Sequence, residues 1–261
     1  MKTLRSRDNA FVKQLIALAH SSRERKKAGL TVLDGIHLVR AYREAVGLPT
    51  QVVIAESAIK TPEVVALLAT IEDARVHVLA DHLMKEASAL DSPAAVIATI
   101  ETPVAKPTAP KAASVLVLED VQDPGNVGSM LRSAAAAGVH EVVCSPTTAF
   151  AWAPKVLRAG QGAHFLLNIV EGADVLNFVR EFHGETLALA PLGTRTIYDC
   201  DLRKPTAWLI GNEGAGLSPA LVAAASARVQ IPMPGKIESL NAAATAAIAL
   251  FEMVRQREGK K

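Results

Sequence analysis

The sequence predicts an α/β protein in two domains, and three observations carry that prediction. Short β-branched apolar runs alternate with helical stretches along most of the chain, the runs beyond residue 114 are apolar on both faces, and a proline-spaced segment divides the two halves. Strands that are buried on both faces and separated by helices imply a mainly parallel sheet covered on both sides. A length of 261 residues suits two modest domains, each with room for a core.

In chain order, residues 1–28 read as a basic helical arm. Strands are expected at 31–33, 51–54, 76–79 and 95–100, with helices at 35–45 and 62–69, so that 1–100 form a small α/β domain. Residues 101–113 read as a linker, because Pro103, Pro107 and Pro110 remove backbone donors and favour extended chain. The alternation resumes in 114–261, with strands at 115–118, 141–144, 166–170, 186–190, 208–210 and 228–231 and a long helix ending near Gln256. The alanine runs at 134–137, 223–225 and 242–249 suit closely packed helices.

Composition narrows the class further. Half of the residues are hydrophobic but only 4% are aromatic, and 46 are alanine, so a mean hydropathy of +0.23 does not signal a membrane protein. No apolar run approaches the length of about 18 that a spanning helix needs, and residues 1–13 are charged where a signal peptide would be apolar. A soluble, cytoplasmic protein is expected. Residues 1–46 hold ten Lys/Arg against four Asp/Glu, a charge of +6, and the other eighteen against twenty-two give −4, which together make the net +2. Arg23, Arg25, Lys26 and Lys27 cluster within the basic part, either as a footprint for a polyanion or as a solvated helix end. Cys144 and Cys200 are far apart with no CxxC pair, so neither a disulfide framework nor a metal site is expected.

Three polar, glycine-bearing clusters follow strands in the C-terminal half, where open parallel sheets bind ligands. The first runs from Glu119 to Arg132, with Pro124-Gly125 as the turn and Asn126 as a natural helix cap. The second is Gly211-Asn212-Glu213-Gly214-Ala215-Gly216-Leu217-Ser218, where Glu213 suits a cationic or hydroxyl-bearing ligand better than a pyrophosphate. The third, from Ile231 to Asn241, leads into the last helix, which Ser239 can cap. Singly, each is readable as a capped turn, and the second alone admits a nicotinamide-dependent oxidoreductase.

Together the clusters resemble, in order and spacing, the three motifs of the SpoU (TrmH-type) RNA ribose methyltransferases of the SPOUT superfamily. The matches are Asn126-x-Gly128-x-x-x-Arg132, then Leu209-Ile210-Gly211-Asn212-Glu213-Gly214-x-Gly216-Leu217, then Ile231-Pro232-Met233-x-Gly235-x-x-x-Ser239-Leu240-Asn241. Residues 153–163 also resemble a family loop, although Gly160 stands where many members carry serine. Residues 1–100 resemble, less specifically, the family's N-terminal substrate-binding domain.

The resemblance implies a SPOUT domain with a deep C-terminal trefoil knot, S-adenosylmethionine bound at Gly211, Ile231 and Leu240, a homodimer, and methyl transfer to a ribose 2′-hydroxyl. Arg132 is then expected as an electrostatic anchor, since a guanidinium with a pKa above about 12 is a poor base. Asn126 would orient the ribose or Arg132, Glu213 would orient Asn126 or Arg132, and Ser239 and Asn241 would complete the acceptor site. Lys13, Arg23, Arg25, Lys26 and Lys27 would contact RNA phosphates, with Lys155 and Arg158 guiding the strand. So few aromatics favour a folded RNA over a stacked single strand; the separate N-terminal domain favours ribosomal RNA, with transfer RNA as the alternative. A catalytically idle RNA-binding factor is the rival reading, opposed by the joint presence of Asn126, Arg132, Glu213, Ser239 and Asn241.

Overall fold

Residues 3–72, 75–89, 94–106 and 113–259 are described by a computed structural model. The chain divides into two compact units, one holding the residues up to Pro103 with Trp152–Phe165, the other Val104–Ala151 with Leu166 onward. Most of the expected linker, 107–112, lies outside the described residues.

The first unit starts with strand β1 (Thr3–Leu4) and helix α1 (Ala10–His20). Asn9 caps α1 by accepting from the N–H groups of Phe11 and Val12, and Val12, Leu15, Leu18 and Ala19 form its buried stripe. Helix α2 (Ser22–Ala28) begins at the Ser21 cap and stops at Gly29, whose φ of 64° is the left-handed conformation that ends a helix. There follow β2 (Leu30–Asp34), α3 (Ile36–Ala45), β3 (Gln51–Ala55), α4 (Pro62–Leu68), β4 (Val76–Leu79), α5 (Asp81–Ala87) and β5 (Val96–Glu101). The sheet order is β1-β4-β3-β5-β2, with β1, β4 and β3 parallel and β5 antiparallel to both neighbours. The two-residue β1 was not legible in the sequence, because its partner Val78–Leu79 lies some 75 residues away.

In the second unit β6 (Val115–Leu118) leads to α6 (Pro124–Ala136) and β7 (Glu141–Cys144). Next is α7 (Pro154–Gly160), which packs on β2 within the first unit. The second unit continues with β8 (Asn168–Val170), α8 (Val175–Glu181), β9 (Glu185–Leu189), β10 (Arg195–Thr196), β11 (Thr206–Ile210), α9 (Pro219–Ala224), β12 (Ala227–Gln230) and α10 (Ala242–Glu258). These strands form one parallel sheet in the order β10-β12-β9-β11-β6-β7-β8. Every residue of β6, β7 and β11 is buried, as expected of a sheet covered on both faces. Helix α6 packs against α10, joining the helix after the first sequence cluster to the helix after the third.

Candidate active site

Strands β6 and β11 are parallel neighbours, with Ile210 opposite Leu118, so the loops that leave their carboxyl ends start side by side. Each loop is then stitched to the other. The Glu119 carboxylate accepts from Ser218 N–H and Ser218 Oγ at 2.7 Å each. Asn212 Nδ2 donates to the Asp120 carbonyl at 2.8 Å, while Asn212 Oδ1 accepts from the N–H groups of Gly214 and Ala215 at 2.9 Å. Asp120 has φ 56°, a left-handed conformation uncommon outside glycine, and its fixed carbonyl is what Asn212 grasps. At Gly211 a Cβ would come within 2.2 Å of the Gly216 carbonyl carbon, so the loop folds back on itself only with glycine there.

Glu213 sits in this loop, binds the first cluster directly and, through Asn126, is linked to the third. Its carboxylate accepts from Asn126 Nδ2 at 2.9 Å and from the Gln122 and Asp123 N–H groups at 3.1 Å each. Partial burial opposes ionisation of Glu213, but these hydrogen bonds, with one from its own N–H, outweigh it and hold the carboxyl below its ordinary range. An ionised carboxylate only accepts, which fixes the Asn126 amide with its oxygen outward. Asn126 Oδ1 accepts from Asn241 Nδ2 at 2.9 Å, and Asn241 Oδ1 accepts from the Ala243 and Ala244 N–H groups at the start of α10. Residues 87 and 115 apart along the chain thus form one directed relay.

At two helix starts the capping residue differs from the one expected. Asp123, not Asn126, caps α6, accepting from Asn126 N–H at 2.8 Å, with Pro124 in the first turn. Asn241, not Ser239, caps α10. Glu213 orients Asn126 and makes no bond to Arg132 among the described residues. Arg132, in the third turn of α6, is exposed and has no hydrogen bond or ion pair among the described residues.

Beside the relay lies a cleft of 410 Å³. Gly211, Glu213, Ile231, Ser239 and Leu240 line it, whereas Asn126, Arg132 and Asn241 do not. Its remaining walls include Leu189 and Ala190 at the end of β9, Glu238, and Thr245 in the first turn of α10. Sequence reasoning misses these. Leu189 and Ala190 end an expected strand and precede Pro191, so the rule that ligands lie beyond strand carboxyl ends could have found them. Asn212 stands within the second cluster, but motif spacing does not mark its task, which is to hold a loop.

The basic residues divide in two. Arg23, Lys26, Lys27, Lys155 and Arg158 are exposed, and Lys13 is exposed while paired with Asp8 at 2.8 Å. Arg25 is 5% exposed, its Nη1 donating to the Leu18 carbonyl at 2.6 Å and the Ala19 carbonyl at 3.1 Å. The expectation that Arg25 contacts phosphate is therefore overturned: its guanidinium closes the end of α1, and burial lowers its pKa. No helix among the described residues is long and apolar enough to cross a membrane. Both cysteines are free and buried, and burial, with Glu171 nearby, pushes the Cys144 thiol up.

Comparison with known proteins gives two family matches: the SpoU rRNA Methylase family over residues 113–251, and the MRM3-like substrate binding domain over residues 9–98. The chain is 29% identical to the 23S rRNA (guanosine(2553)-2′-O)-methyltransferase RlmP of Bacillus subtilis, over 97% of this chain and 99% of that one. It is 31% identical to the 23S rRNA (uridine(2479)-2′-O)-methyltransferase of Streptomyces viridochromogenes, over 95% and 91%. Among solved structures, the SpoU methyltransferase AviRb from Streptomyces viridochromogenes, in complex with AdoMet, superposes with a TM-score of 0.86 at 28% identity, covering 97% of this chain and 100% of that one.

Proposed function

Because the chain belongs to the SpoU rRNA Methylase family, we propose a division of labour around its reaction, the S-adenosylmethionine-dependent methylation of a ribose 2′-hydroxyl in ribosomal RNA. The observation that carries the reading is the relay from Glu213 through Asn126 to Asn241, set beside the cleft.

The cleft suits the cofactor on its own chemistry. Its volume falls in the range of roughly 300–1,000 Å³ usual for such ligands. Leu189, Ile210, Ile231 and Leu240 offer apolar walls, the folded-back loop from Gly211 offers backbone groups, and Glu213 and Glu238 supply carboxylates suited to a cation. Gly211, Ile231 and Leu240 would hold the cofactor, whose sulfonium supplies an electrophilic methyl group. No metal-ligating cluster occurs among the described residues.

Arg132, exposed and without an ion-pair partner among the described residues, anchors the target phosphate and faces the negative charge that grows on the ribose oxygen as its proton leaves. Asn126, its amide held by Glu213, positions the ribose. Ser239, on the cleft wall, and Asn241 complete the acceptor side. The first unit grips RNA through Lys13, Arg23, Lys26 and Lys27, with Lys155 and Arg158 guiding the strand. Residues 1–100 would bind, 101–113 would link, and 114–261 would methylate. A trefoil knot over the C-terminal segment is supported by the likeness to SpoU structures, a homodimer by the exposed Ile248 and Phe251 on α10, and work in the cytoplasm by the ribosomal substrate.

The test is transfer of labelled methyl to ribosomal RNA with mapping of the modified nucleotide. Arg132→Ala should lower kcat by about 100-fold, the size seen when one donor to a developing anion is removed, with cofactor affinity unchanged, and Asn126→Ala should lower kcat as well. Near-normal transfer by both variants would overturn the assignment.

A further inference from the structure

A second cleft, of 300 Å³, lies in the first unit between α3 and α4, lined by Arg40, Arg43, Glu44, Ala66 and Leu67. The two arginines stand three apart on one face of α3, where like charges repel by a few tenths of a kcal/mol. Neither forms an ion pair among the described residues, although Glu44 shares the cleft and Glu63 lies in the first turn of α4. Arg40 Nη2 donates to the Glu63 carbonyl at 3.1 Å, which fixes that guanidinium and leaves its other donors open. Arg43 Nε is buried and has no hydrogen-bond partner among the described residues.

From this geometry we propose that Arg40 and Arg43 form a binding site for an RNA phosphodiester, distinct from the basic residues of α1 and α2. Apart from the buried Arg43 Nε and the Arg40 Nη2 bond to Glu63, the two half-buried guanidinia keep Nη donors of the kind that match phosphate oxygens, and partial burial strengthens each charge-assisted bond. An arginine anchored at one end reaches its ligand with less ordering cost than a free one. The apolar floor of Ala66 and Leu67 offers no base-specific hydrogen bonding from its side chains, so the site reads backbone rather than sequence. The occupant is placed as RNA because the cleft lies within residues 9–98, which match a substrate-binding domain; this rests on the methyltransferase reading above.

The experiment measures binding of deproteinised 23S rRNA to the full chain as a function of salt, with methyl transfer and cofactor binding followed in parallel. The variant carrying Arg40→Ala and Arg43→Ala should bind about tenfold more weakly at moderate salt, and the slope of log K against log salt should become shallower by about 1. KM for RNA should rise while kcat and cofactor affinity hold. The variant Glu44→Lys, which leaves both arginines in place, should bind RNA more tightly with a steeper slope. An unchanged affinity and slope in the double variant, or in Glu44→Lys if the double variant does not fold, would overturn the site. Weakened binding of inorganic phosphate with RNA binding unchanged would also overturn it, since the cleft would then hold only a small anion. If the wild-type chain itself transferred no methyl to this RNA, the methyltransferase reading would fall instead.

Discussion

Glu213 keeps its charge against partial burial because two N–H groups of the neighbouring loop and the Asn126 amide all point at its carboxylate. The sign of the resulting pH dependence follows from that. A carboxyl whose folded pKa is depressed stabilises the fold above its ordinary value, near 4.3, and loses that contribution as pH falls through the lower folded value. Glu213→Gln should therefore melt below the wild type at pH 7, and the gap should close as pH falls below the ordinary carboxylate range and through the lowered folded value. A gap independent of pH would mean that the charge is not what matters. At this scale the sequence marks candidate residues but not their partners. The glutamate's bond to Asn126 rather than to Arg132, and the inward turn of Arg25, depend on side-chain directions that spacing does not carry.

At the scale of elements, the caps decide how the segments of the candidate site are held. Asn241 accepts from two N–H groups of α10 and donates to Asn126, so it serves helix and site together. Asn241→Ala should cost about 1 kcal/mol of stability, the usual penalty for removing a helix cap, and also lower kcat. Ser239→Ala, which removes no cap, should leave the unfolding free energy within about 0.5 kcal/mol of wild type. Urea unfolding of the two variants distinguishes them, and equal destabilisation would mean that Ser239 shares the capping role. Most strands were legible because their apolar runs are buried on both faces; β6, β7 and β4 match the expected bounds. The short edge strands β1 and β10 were not. Two residues hold no periodicity, and both elements exist through pairing with a distant strand.

For the molecule as a whole, the three motifs carry the main clue to an RNA partner, and charge, which only adds to it, misassigns one residue. Arg25→Ala should lower the melting temperature and leave the salt slope of RNA binding unchanged, because its guanidinium is spent on the carbonyls of Leu18 and Ala19. The pair Lys26→Ala and Lys27→Ala should do the reverse, with a slope shallower by about 1 for each phosphate no longer neutralised. The opposite pattern would place Arg25 on the RNA. The units also divide where the sequence does not, since Trp152–Phe165 belong with the first although they follow β7 in the chain. There Trp152 packs on His164, and Phe165 meets Tyr42 edge to face.

The alternation of strands and helices, the parallel character of the second sheet, and the three clusters whose order and spacing mark the family are all readable along the chain. Those features are local, written in periodicity, turn residues and intervals. How the clusters meet is set by packing. The register of β6 against β11 sets two loops side by side, the packing of α6 on α10 brings in the third, and Glu213, Asn126 and Asn241 join across 87 and 115 residues. A hydrogen bond depends on position and direction in space, and chain spacing specifies neither for residues so far apart.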